Sequence, residues 1–442
     1  MDRRRFLQAT GAAFASLVAS GCSVRVGDSA IDAGLPAYGA LQRDPEGVLD
    51  LPAGFSYRVL STLGEAMNDG ATVPDKADGM GCFDLGDGTL ALVRNHELVP
   101  SDDAGGSIAH GFGTRHGEIV PGGTTHLVID ANSLELQAQY RSLGGTIRNC
   151  SGGVTPWGSW LTCEEAPTGP GQRRGDGLAR NHGWVFEVPA AAKGLVEAVP
   201  LTAMGRFNHE AACVDPVTGY VYLTEDRDDS VLYRFLPHEP GVLRAGGRLQ
   251  AMRVEGLADT RNWSDASMPV RQTYPVTWLN LDEVEAPKDD LRHRAVASGA
   301  SVIARGEGIH MGDDELYVCS TSGGEKKLGQ IFRLVPGRGV GEDRIELFFE
   351  SRSKDQFDFG DNLTVAPNGH LIVCEDQYTP IVDNHLRGIT PDGRAYALGR
   401  LRMQTELAGA CFSPDGRHLF VNAYSPTRTF VISGPWDQFQ AA

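Results

Sequence analysis

Six times along this sequence a short apolar run is followed by a Gly, Pro or Asp turn and a second apolar run that ends on polar residues. The copies are GMGCFDLGDGTLALVRNHE (79–97), CSGGVTPWGSWLTCEE (150–165), EAACVDPVTGYVYLTEDR (210–227), EGIHMGDDELYVCSTS (307–322), DNLTVAPNGHLIVCEDQ (361–377) and AGACFSPDGRHLFVNAYS (408–425). Two apolar runs joined by such a turn make a β-hairpin. Repetition at loose spacing, with long inserts between copies, predicts the inner strand pairs of a six-bladed β-propeller: all-β, with long inserted loops and a few short helices. A propeller grows by adding blades, so residues 46–442 are expected to form one domain.

Antiparallel pairing also predicts where polar side chains collect. If the first strand of each pair starts at one mouth of the central channel, the second returns to it. That rim would gather Cys150, Glu210, Glu307, Asp361 and Asn362 from first strands, and Asn95, Glu97, Glu164, Glu165, Glu225, Asp226, Glu375 and Asp376 from second strands. So many carboxylates resist joint ionisation at close range, and their convergence predicts bound cations. Oxygen donors suit calcium, whereas a thiolate from Cys150 beside Glu210 and Glu307 suits a softer metal such as iron.

The other cysteines fall at repeat-equivalent positions: Cys82, Cys213 and Cys411 inside first strands, and Cys163, Cys319 and Cys374 near the ends of second strands. Equivalent strand-interior slots read as small buried residues. With no CxxC pair, neither a zinc knuckle nor a thioredoxin-type redox pair is supported. GxSxG, GxxxxGK and HExxH are absent as well, which removes the common hydrolase elbow, the phosphate loop and the zincin helix. Asp28-Ser29-Ala30 lies in a stretch with little periodicity, which offers a nucleophile no rigid support.

Arg3-Arg4-Arg5-Phe6-Leu7, followed by an apolar run from Ala9 to Ala19, reads as a twin-arginine export signal over residues 1–21. Ala19-Ser20-Gly21-Cys22 resembles a lipoprotein processing box, so a lipid anchor through Cys22 is expected, and residues 22–45 read as a tether. The expected location is the periplasm or the cell envelope, with no membrane span and a monomeric state. A formal net charge of −17 gives no electrostatic footprint for nucleic acid. Phosphorylated substrates would be repelled unless bound cations reversed the field locally. Residues 236–300 read as a polar surface excursion with one short helix.

Arg305, in Ala304-Arg305-Gly306-Glu307, would point at the same mouth. Two roles stay open for it: a fork on phosphate oxygens, or a salt bridge to a rim carboxylate. Arg206 and Arg227 are weaker candidates of the same kind.

At these residues the chain resembles a known family. NCSGGVTPWGSWLTCEE, GRFNHEAA, YLTEDR, ARGEG and LIVCED are similar to motifs of the PhoX family of exported alkaline phosphatases, from about residue 45 to the C-terminus. The resemblance implies a propeller that holds iron and calcium and hydrolyses small phosphomonoesters. It implies Cys150, Glu210 and Glu307 as iron ligands and Arg305 as the phosphate contact. Glu164, Glu165, Glu225, Asp226, Asp361, Glu375 and Asp376 are implied as further iron or calcium ligands. Two other functions fit a carboxylate-lined propeller mouth: a calcium-dependent lactonase or esterase, and a non-catalytic envelope binding protein stapled by calcium.

Overall fold

A computed structural model describes residues 38–377 and 379–438. The export signal, Asp28-Ser29-Ala30, Cys22 and most of the expected tether lie outside them. The described chain is all-β, with a single seven-residue α-helix, Leu291–Ala297, and short 3-10 turns. None of its helices is long and apolar enough to cross a membrane.

All six sequence copies form antiparallel pairs. They are Ala77–Asp84 with Thr89–His96, Asn149–Val154 with Ser159–Glu164, His209–Val214 with Val221–Glu225, Gly306–Met311 with Leu316–Ser320, Gly360–Val365 with Leu371–Glu375, and Leu407–Phe412 with His418–Ala423. The turns between them use residues suited to their backbone. In Asn368-Gly369 and Asp415-Gly416 the glycine holds φ of 78° and 72°, a region where a side chain is strained.

Each first strand packs on the first strand of the next pair, and the sixth packs back on the first, so the sheets are arranged in propeller fashion. Further strands extend each sheet outward. The apolar face of each sheet is buried against its neighbour. Leu161, Cys163, Ala212 and Leu223 are enclosed between the second and third pairs, and Tyr222, Met252, Val318 and Phe332 between the third and fourth. Each Leu, Val, Met or Phe side chain among these contributes about 1.5–3 kcal/mol on removal from water. All seven described cysteines are buried and free of disulfides, and six of them, all but Cys150, occupy the strand-interior slots expected for small packed residues.

Two connections differ from the sequence reading. Part of the expected surface excursion is strand: Gly247–Val254 and Thr273–Asn280 extend the third sheet until Thr273–Val276 pairs with Asp343–Glu346 of the fourth, giving nine continuous strands. The alternation in Gln250–Val254 was masked by nearby charge. The end of the expected tether is also packed, for Tyr38 donates its hydroxyl to the Trp436 carbonyl at 3.0 Å. The strand Ser56–Thr62 pairs with Arg428–Ser433 and completes the last sheet with an early segment of the chain.

Candidate metal centre

The site is built by one irregularity repeated six times. In every first strand the pairing register slips by one residue near its start: between Ala77 and Met80, Asn149 and Gly152, His209 and Ala212, Gly306 and Ile309, Gly360 and Leu363, and Ala408 and Cys411. Such a bulge re-aims a side chain that a regular pleat would point elsewhere. The first residue inside each bulge is Asp78, Cys150, Glu210, Glu307, Asp361 and Gly409. Five of the six equivalent positions thus carry a metal-type donor. Small residues allow the bulged strands to approach: a Cβ on Gly79 would stand 2.5 Å from the Ser151 Cα, and one on Gly308 2.6 Å from the Leu363 nitrogen. Asn95 fixes one bulge, donating from Nδ2 to the carbonyls of Cys150 at 3.1 Å and Ser151 at 2.8 Å.

Four sets of three donors result, each with its ligand atoms within 4.8 Å of one another: Asp78, Glu97 and Cys150; Cys150, Glu165 and Glu210; Glu210, Glu307 and Asp361; Asp361, Asp376 and Glu406. Adjacent sets share a member, so they form one continuous row. The row holds eight carboxylates and one thiol, with Arg148 and Arg305 as cations beside it. Burial, reinforced by neighbouring carboxylates, pushes Asp78, Glu210, Glu307 and Glu406 well above the usual range. Burial with Asp376 nearby lifts Asp361 to about 7, and burial lifts Glu165 to about 8 against the pull of Arg148. The Cys150 thiol is raised by burial and by Asp78 and Glu210. Asp78 Oδ1 and Glu210 Oε1 are buried with no hydrogen-bond donor. Orphaned carboxylate oxygens beside a thiol are the donor set a cation completes, so these residues fit bound metal.

The row also sorts the expected residues. On a strand, successive side chains point to opposite faces. Glu165 and Asp376 enter the row, whereas their neighbours Glu164 and Glu375 do not. Glu164 accepts from Ile147 N at 2.9 Å, Gly183 N at 2.8 Å and His182 Nδ1 at 2.6 Å. Glu375 accepts from Asp358 N at 3.0 Å, His385 N at 3.0 Å and Arg387 Nε at 2.7 Å. Glu225 accepts from Tyr233 Oη at 2.7 Å and pairs with Arg292 at 3.5 Å. These three glutamates, expected as metal ligands, fasten the ends of second strands to adjoining loops and stand outside all four sets. Asp226 is outside them as well, paired instead with Arg305.

Arg305 adopts φ of 47° and donates from Nε to Asp226 Oδ1 at 2.6 Å and from Nη2 to Glu307 Oε1 at 2.9 Å. The salt bridge, one of the two roles left open, is present. Arg206 is buried and donates to the carbonyls of His182 and Ala286, away from the row. Arg227 donates to the Asp226 carbonyl at 3.0 Å and lines a cavity of about 600 Å³ beside Arg148 and Glu165.

Four contributors escaped the sequence reading. Asp78 stands one residue before the first copy as delimited, and aligning Gly79-Met80 with Ser151-Gly152 would have exposed it. Arg148 bridges Glu97 and Glu165 at 2.5 Å each, while Tyr424 donates to Glu97 Oε2 at 2.7 Å. Glu406 lies just before the sixth copy, at the head of the strand Leu407–Phe412, whose packing on the fifth pair brings it to Asp376.

Comparison with known proteins bears on the fold and the family. A crystal structure of Pseudomonas fluorescens PhoX in complex with vanadate, a transition state analogue, aligns at 18% identity over 91% of this chain and 97% of that one, with a TM-score of 0.69. A gluconolactonase from Xanthomonas campestris aligns at 13% identity over 86% and 95%, with a TM-score of 0.39. A protein of unknown function from Bacteroides thetaiotaomicron aligns at 11% identity over 86% and 76%, with a TM-score of 0.45. No curated protein sequence matches the chain. The family model described as alkaline phosphatase PhoX matches residues 36–427, nearly the whole sequence, and the chain belongs to that family.

Proposed function

We propose that this chain is a six-bladed propeller that hydrolyses phosphomonoesters at a centre of iron and calcium ions. The observation that carries the reading is the row of donors delivered by equivalent bulges, in a chain of the PhoX alkaline phosphatase family. Six first strands in cyclic contact support the blade number.

Cys150, Glu210 and Glu307 are assigned to iron, because a thiolate among carboxylates favours a transition metal. Glu165 stands with Cys150 and Glu210 in one set and completes the iron end of that stretch. Asp78, Glu97, Asp361, Asp376 and Glu406 are assigned to the harder calcium ions, which take carboxylate oxygens. Bound there, the ions would supply Lewis acidity and neutralise the charge on a transferring phosphoryl group.

The chain's own contribution is orientation. Asp226 and Glu307 grip Arg305 from two sides, so its guanidinium is held before substrate arrives. Glu97 and Glu165 do the same for Arg148. Arg305 is assigned to a phosphoryl oxygen, and Arg148 to the wall of the adjoining cavity. The arginine-rich N-terminus supports export by the twin-arginine route, with Cys22 as a lipid attachment point.

Elemental analysis of the exported protein, run with a p-nitrophenyl phosphate assay at alkaline pH with and without chelator, tests the reading. Iron with calcium and chelator-sensitive phosphate release are expected. Calcium alone with no phosphate release would overturn it.

A further inference from the structure

The cavity of about 600 Å³ beside the donor row is lined by Arg115, Arg148, Arg173, Arg174 and Arg227, with Glu165 and Asp289 as the acidic residues. In a chain with 57 acidic and 40 basic residues, such a concentration of arginine is out of keeping with the rest. Both acids are already engaged: Glu165 by Arg148 at 2.5 Å and Asp289 by Arg292 at 3.3 Å. Four of the arginines lack a carboxylate partner within salt-bridge distance among the described residues. Arg115 donates to the Asp176 carbonyl at 2.9 Å, Arg227 donates to the Asp226 carbonyl, and Arg173 and Arg174 project from the exposed part of the loop 166–182. The cavity therefore carries uncompensated positive charge at the edge of a strongly acidic site. Its volume suits a small organic molecule.

Resting on the phosphatase reading above, we propose that this cavity is a subsite for a second anionic group on the substrate, with Arg173 and Arg174 as specificity-determining residues. The preferred substrates are small phosphomonoesters that carry a further carboxylate or phosphate on the alcohol portion. Guanidinium forks bind both groups through paired N–H donors, which a neutral alcohol cannot use.

The test is a matched pair of substrates, 3-phosphoglycerate and glycerol 3-phosphate, which differ in one carboxylate. The holoenzyme should favour 3-phosphoglycerate at least tenfold in kcat/KM, chiefly through KM, and R173Q/R174Q should reduce that ratio to near one. An unchanged ratio in the variant would overturn the subsite. A parallel measurement by calorimetry compares binding of 3-phosphonopropionate with propylphosphonate, neither of which can be hydrolysed as a phosphate ester. A preference for the carboxylate that depends on Arg173 and Arg174, without turnover of either substrate, would sustain the subsite and remove the phosphatase reading. Turnover with no arginine-dependent preference would do the reverse.

Discussion

Glu375 and Asp376 are neighbours in sequence with opposite assignments, and replacing each with its amide separates fastening from metal binding. Glu375 is fully buried and accepts from two backbone N–H groups, from Arg387 Nε at 2.7 Å and from His385 Nδ1 at 3.1 Å. Glu375→Gln turns one acceptor oxygen into a donor that faces other donors, and leaves the buried Arg387 without its counter-charge. Removing one member of a buried pair costs about 3–5 kcal/mol. Spread over roughly 400 residues with an unfolding entropy near 2 cal/mol/K each, that is a fall in Tm of roughly 4–6 °C. Scanning calorimetry in excess chelator is the assay, since metal-linked stability is then absent. Asp376→Asn should leave the chelated Tm unchanged or raised, because it removes one of several crowded carboxylates. It should lose the increment that added metal restores. A Glu375→Gln protein with unaltered chelated Tm but depleted metal would refute the assignment of the two faces.

Cys150→Ala should lose iron by elemental analysis, and phosphate release should fall by more than the roughly 10–100-fold that loss of an outer partner of a metal ligand costs; retained iron with full turnover would exclude Cys150. Arg305→Ala should raise KM roughly ten- to a hundredfold, from loss of charge-assisted bonds worth about 1.5–3 kcal/mol, and an unchanged KM would restrict Arg305 to its salt bridges. His126 is buried, Nε2 lies 3.2 Å from the Ala190 carbonyl, and burial pulls its imidazole down to about 4. Below about pH 6.5 the unfolded chain takes up a proton that the folded one refuses, so stability falls with pH until about pH 4, by roughly 2 kcal/mol at pH 5. In chelator, His126→Gln should lose that share of the drop in Tm between pH 7 and pH 5, and an unchanged slope would show that His126 is not held neutral.

Hairpin pairing was legible because the turn chemistry and the apolar alternation are local. The same logic brought Cys150, Glu210, Glu307 and Asp361 to one mouth. It could not separate neighbours in second strands: Glu164, Glu225 and Glu375 stand outside the donor sets beside Glu165, Asp226 and Asp376, and only the register of the pleat distinguishes the two faces. The bulges were not legible either. A bulge leaves no fixed residue type behind, since Asp78, Cys150, Glu210 and Gly409 occupy the same geometric position. Arg148 and Glu406 precede the repeats that follow them, so pattern matching within the repeat could not reach them.

The pairing of Ser56–Thr62 with Arg428–Ser433 orders events during synthesis. The early strand leaves the ribosome some 370 residues before its partner, and its backbone donors must wait, solvated or chaperoned, through nearly the whole of translation. Closing so long a loop is the slowest kind of contact to form. The same closure carries Tyr424 to Glu97 of the first pair. A chain cut short before residue 428 would keep all nine donors, from Asp78 to Glu406, and lack only the strand that joins the last sheet to the early segment, which makes closure of the ring the last step of assembly.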